Sequence, residues 1–167
     1  LSGDGLQRVA MLAADAAGAP VAIVVPRIGA AVTGGRDEFP GGDAAREEVR
    51  RYVADRVADR PSRVPETVAA EVPIASGDEL VGAVLLLGPA SGSEAAEFLH
   101  LAAVASLTEV AVEEARDEVE ENLRGSFLED LRARPDLEGD EVVRRAARLG
   151  CDLSGGAVAL CAELTSD

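Results

Sequence analysis

SGSEAAEFLHLAAVASLTEVAVEEARDEVEENLRGSFLEDLRAR, Ser91 to Arg134, contains no proline, and Pro135 follows it directly. Ser91 with Glu94 three residues on forms a capping box, so the spacing predicts about 40 residues of nearly continuous helix. At 1.5 Å per residue that is roughly 60 Å, longer than a small domain is wide. The first half, Phe98 to Val112, is apolar almost all round (Phe98, Leu99, Leu101, Val104, Leu107, Val110, Val112), the pattern of a helix buried on several sides. From Glu113 acids crowd in, while Val112, Ala115, Val119, Leu123 and Phe127 keep one apolar stripe at spacings of three and four. Such a helix connects parts of a molecule and points to signal transmission rather than chemistry.

The whole composition fits a chain of one domain, or one domain and part of another. There are 167 residues, 47% hydrophobic, with three Phe, one Tyr and no Trp, so the core is built from Ala, Val and Leu. Sixteen basic residues, all Arg, against 31 acids give a formal charge of -15. That charge repels phosphate and argues against nucleic acid or an anionic membrane as partner. No signal-peptide pattern and no uninterrupted apolar run flanked for insertion are legible, so a cytoplasmic location is expected. Cys151 and Cys161 lack CxxC spacing and a neighbouring His cluster, and read as core thiols.

In chain order, Asp4 is placed to cap a first helix with Leu6, Val9, Ala10, Leu12, Ala13 and Ala16 inward, and Gly18 ends it. Pro20 to Arg27 (PVAIVVPR) and Ile28 to Thr33 read as a hairpin about Gly29. Gly34 to Gly42, GGRDEFPGG, is a glycine-rich loop. Asp43 is placed to cap a second helix running to Arg60, with Val49, Tyr52, Val53 and Val57 inward, and Pro61 to Pro65 is a linker. Thr67 to Ala75 and Leu80 to Leu87 form a second hairpin across Ser76-Gly77-Asp78-Glu79. LVGAVLLL is apolar on both faces and belongs at the centre of a covered sheet. The expected fold is therefore α+β: an antiparallel sheet with the first and last helices on one face, and the loop and middle helix on the other.

AEVPIASGDELVGAVLLLG, Ala70 to Gly88, followed at once by a long amphipathic helix, resembles the closing hairpin and exit helix of a GAF sensory domain, over Gly5 to about Arg116. Further on, Arg124, Phe127, Leu128, Asp130 and Leu131, then Ala147, Leu149, Gly150, Asp152 and Leu153, resemble the junction in PucR/CdaR-type transcription regulators. The resemblance implies a GAF-like domain over 1-116, a connector helix over 117-135, and the truncated start of a degenerate cyclase-like α/β domain over 136-167 with a strand at Ala157 to Leu164. It implies that DNA is bound only by a helix-turn-helix domain lying further along such a regulator.

Several residues invite a chemical reading, and each has a plainer one. Gly34-Gly35-Arg36-Asp37-Glu38-Phe39 resembles the GGDEF signature of cyclases, but Arg36 interrupts it. His100, the single histidine, has no second ligand in view and reads as a core or dimer-facing residue. Asp117 to Glu121 fan around a helix instead of converging as a cation site requires, and read as a solvated face. The pairs Arg50-Arg51 and Arg144-Arg145 read as bridging to neighbouring acids. No P-loop and no serine with a partnering base is legible, so no catalytic residue, metal or cofactor is assigned and the chain is expected not to be an enzyme.

A GAF-like ligand pocket would lie between the sheet and Gly34 to Arg60. Arg27, Thr33, Arg36 and Tyr52 are its polar candidates, and Val25, Val32, Phe39 and Val49 its apolar lining; an arginine there suits a carboxylate or phosphate. The alternative is that this layer is filled core. Leu101, Val104, Val112, Val119 and Leu123 are the expected homodimer seam. Two functions remain open: a sensor that passes small-molecule occupancy through the long helix to a DNA-binding output, or a purely structural dimerisation domain.

Overall fold

The computed structural model describes residues 4–35, 39–89, 94–134, 137–153 and 155–156. Two units are distinct in it, Leu1–Glu114 and Ala115–Asp167. In the first, helix α1 (Asp4–Ala17) leads into strand β1 (Val21–Val25), a 3-10 turn (Pro26–Ile28) and strand β2 (Ala30–Gly34). Helix α2 (Gly42–Val57), strands β3 (Val68–Ser76) and β4 (Glu79–Leu87), and helix α3 (Ala95–Ala133) follow. The fold is α+β, a four-stranded antiparallel sheet in the order β2-β1-β4-β3.

The two apolar strands are the central ones, β1 and β4, as their sequences require: every residue of β1 is buried. Alternation divides their side chains between two cores. Val21, Ile23, Val25, Val84 and Leu86 pack with Leu6, Ala10, Ala13 and Ala17 of α1 and with Leu99, Ala103 and Val110 of α3. Ala22, Val24, Ala83, Leu85 and Leu87 pack with Phe39 and with Val49, Tyr52 and Val53 of α2. The expected layering of α1 and α3 on one face and α2 on the other is thus the observed one. Pro73 is accommodated because β3 is an edge strand. Between Ile74↔Gly82 and Ala75↔Leu80 the ladder slips by one residue, and this bulge turns Val81 to the α1/α3 side together with Val84.

Boundaries differ from the sequence expectations for identifiable reasons. The second hairpin has a two-residue loop, because Ser76 pairs with Glu79 and Gly77 takes φ 61 at the first central position. Asp4 and Asp43 lie within the first turns of their helices rather than at the caps; Gly41, with φ 84, holds the cap position of α2. That helix stops at Val57, short of Arg60, since Asp59 adopts φ 52 and closes a Schellman end: Arg60 N–H donates to Asp55 O at 2.8 Å and Asp59 N–H to Arg56 O at 3.1 Å.

The long helix is present over 39 residues. Its N-terminal half is buried on one side only, through Leu99, Ala102, Ala103, Ser106 and Val110; the expectation of burial on several sides fails because α1 and the sheet together cover just one arc. Ser91, the expected cap, lies outside the described residues.

In the second unit, α4 (Gly139–Arg148) ends in another Schellman turn, with Cys151 N–H donating to Ala146 O at 2.9 Å, Gly150 N–H donating to Ala147 O at 3.2 Å, and Gly150 at φ 75. Arg145 ties it to the end of α3 through Asp130 at 3.2 Å. The strand expected at Ala157 to Leu164, and Cys161 with it, lies outside the described residues.

Candidate functional site

Two surfaces of the first unit stand out, an apolar groove between α1 and α3 and an arginine-lined cleft beside α2. The groove follows from the sequence of α1. Leu6, Val9, Ala10, Met11, Leu12 and Ala13 make an apolar arc too wide to bury against one sheet, so Leu12 and Ala16, expected inward, face solvent; Leu12 is 70% exposed. Across from them, helical spacing carries Leu101, Val104, Thr108 and Val112 along the outer side of α3. Leu101 is 65% exposed and Val104 68%. Val9, Leu12, Ala16, Phe98, Leu101 and Ala105 line a groove of about 190 Å³ that holds no charged side chain. All five residues expected in a dimer seam are solvent-facing, and those of the second unit, Val119 and Leu123, are 57% and 51% exposed. His100 is exposed too, its Nδ1 2.8 Å from Ala96 O, so it is not a core residue.

The expected pocket between sheet and α2 is almost closed. Thr33, Phe39 and Val49 do come together there, with Ala22, Val24 and Arg46, around a space of only about 10 Å³. Arg46 stacks over the Phe39 ring at 5.7 Å. Tyr52 is buried beside them and donates its hydroxyl to Glu71 Oε2, while Arg56 Nη1 lies 3.3 Å from the same hydroxyl and 3.6 Å from Glu71 Oε1. Burial first, then the Glu71 carboxylate, pushes the Tyr52 phenol above its ordinary value of 10.0. This triad pins α2 to the edge strand.

Arg27 points away from this layer, its Nε 3.0 Å from Glu114 on α3 and its Nη1 3.5 Å from Glu79. Val25 likewise packs on the α1/α3 side; the half-buried Val32 touches that core and also borders the small space beneath α2. Arg36 lies outside the described residues.

The cleft was not anticipated. Glu47, Arg50, Arg51, Ala54 and Asp55 fall at i, i+3, i+4, i+7 and i+8 and so share one face of α2. That face meets the corner where β1 turns into β2, and with Val24, Pro26, Gly29, Ala30 and Arg60 it encloses about 360 Å³. Arg50 pairs with Glu47 at 3.9 Å in an exposed contact and Arg60 with the half-buried Asp55 at 3.6 Å; Arg51 has no ion pair among the described residues. The signal was present in the five-residue helical spacing; the expected bridge to a neighbouring acid forms at Arg50, with Glu47, and not at Arg51 among the described residues.

Among the described residues no group of three or more His, Cys, Asp or Glu could hold a metal ion. By length and composition α3 could cross a bilayer, with an 18-residue window of mean hydropathy 1.4, a third of it buried in this structure. No family model, characterised protein or solved structure matches this chain.

Proposed function

We propose that the chain is a GAF-like sensory and dimerisation module of a PucR/CdaR-type transcription regulator, acting in the cytoplasm without catalysis of its own. The observation that carries this reading is the uncharged, solvent-facing strip of Leu12, Leu101, Val104 and Val112 on a chain of formal charge -15. A second copy of the same strip is self-complementary under two-fold symmetry and brings no like charge into the contact. The partner is thus a second copy, and DNA is engaged by output domains elsewhere in such a regulator.

The mechanism follows from α3, whose first half packs on the sensory sheet. A small-molecule effector that binds one packing of this helix more tightly than another shifts its population and repositions what α3 leads to. The near-filled layer beneath α2 favours the structural dimerisation reading unless an effector binds elsewhere. Sedimentation velocity over a concentration series tests the module: a reversible dimer, strengthened by salt that screens the acidic surfaces, is expected. A monomer throughout the micromolar range would remove the proposal.

A further inference from the structure

We propose that the cleft between α2 and the β1-β2 corner is a binding site for a small organic oxyanion, with Arg51 as the principal group holding it. The inference rests on the sensory reading above and supplies the effector class that the closed layer beneath α2 leaves open. At about 360 Å³ the cleft is within the size range of small-molecule sites and dwarfs the 10 Å³ under the sheet.

Its chemistry is sided. Val24, Pro26, Ala30 and Ala54 give an apolar floor, and α2 with its Schellman end brings three guanidinium groups against two carboxylates. In a chain with nearly twice as many acids as arginines, a locally positive cavity is against the grain of the composition. Arg51 has no ion pair among the described residues, and its fork can accept a carboxylate or phosphate through two parallel N–H donors. The Glu47 contact to Arg50 is 3.9 Å long and solvent-exposed, and the Asp55 contact to Arg60 is 3.6 Å long with an exposed guanidinium and a half-buried carboxylate, both long enough for an incoming oxyanion to displace. The two carboxylates so released are acceptors for hydroxyl or amino groups on the ligand body.

The corner also links the cleft to α3. Pro26 and Gly29 line the cavity, and Arg27 between them reaches Glu114 at 3.0 Å on the opposite layer. Movement of the 3-10 turn on ligand entry therefore acts on the helix that the sensory reading makes the output.

The test is titration of the full chain with sodium succinate and with sodium phosphate, against sodium chloride at matched ionic strength, following the arginine Nε–H resonances by NMR. Saturable shifts at Arg51, with Arg50 and Arg60 following, are expected, and Arg51→Gln should weaken binding at least tenfold where Arg63→Gln does not. Response to only one of the two anions identifies the head group and supports the site. A linear drift equal to that of chloride, or unchanged affinity in Arg51→Gln, overturns it. Sedimentation of the same samples separates the two readings: a dimer without saturable binding removes the site alone, and a monomer that binds keeps the site and removes the dimer.

Discussion

Replacing Leu101 with Glu is the most direct challenge to the dimer. Full burial of a Leu or Val side chain is worth roughly 1.5–3 kcal/mol, and Leu101 retains 65% of its surface to bury. Its contribution in one copy is then about 1–2 kcal/mol, and two-fold symmetry counts it twice, about 2–4 kcal/mol for Leu101→Ala. That converts to a dissociation constant raised by some 30- to 700-fold, at about 1.4 kcal/mol per factor of ten. Glutamate adds the desolvation of an unpaired charge in each copy and should leave a monomer at all micromolar concentrations. Because the side chain is exposed in the isolated unit, the fold should be spared, and the far-UV circular dichroism of the monomeric variant should match the parent. Sedimentation equilibrium is the assay. An L101E variant that associates as tightly as the parent would refute the assignment of this strip, and a variant that unfolds would show Leu101 to be core after all.

Other expectations follow from the interior. A Cβ on Gly34 would lie 2.1 Å from the Ala10 carbonyl oxygen, so Gly34→Ala must push α1 off the end of β2 and should cost about 1–3 kcal/mol in chemical denaturation. Tyr52→Phe loses the bond to Glu71 and should cost about 1–2 kcal/mol. The raised Tyr52 phenol is a group whose neutral form the fold favours, so its contribution is complete below pH 10 and is lost as pH climbs through the folded value; denaturation from pH 8 to 11 should show this loss in the parent and not in Tyr52→Phe. Arg27→Gln removes a half-exposed pair and should change stability by under about 1 kcal/mol, while hydrogen exchange around Glu114 rises. Unchanged exchange there would sever the route from the β1-β2 corner to α3.

The order of elements was legible because local rules agree with the tertiary outcome. A β-branched run in β1, a two-sided apolar run in β4 and 39 proline-free residues in α3 each admit one reading, and the layers follow from pairing and alternation. The outward strip was also legible, since Leu101, Val104, Val112, Val119 and Leu123 recur at near-helical intervals whatever covers them. The pocket was not: whether the space over a sheet is filled depends on how closely Phe39, Val49 and Tyr52 interdigitate with both strands, and no one-dimensional pattern carries that distance.

Sequence by itself determined the order of the helices and strands and the central place of β4, because propensity and periodicity act within a few residues; it left open which faces of α1 and α3 are covered. Only the tertiary structure decided that Arg27 ties the sheet to α3 instead of facing a ligand, that α2 is sealed onto the sheet through Tyr52 and Glu71, and that Arg50, Arg51 and Arg60 open onto a cleft. These depend on where residues far apart in the chain meet, and that is set by the packing of whole helices on the sheet.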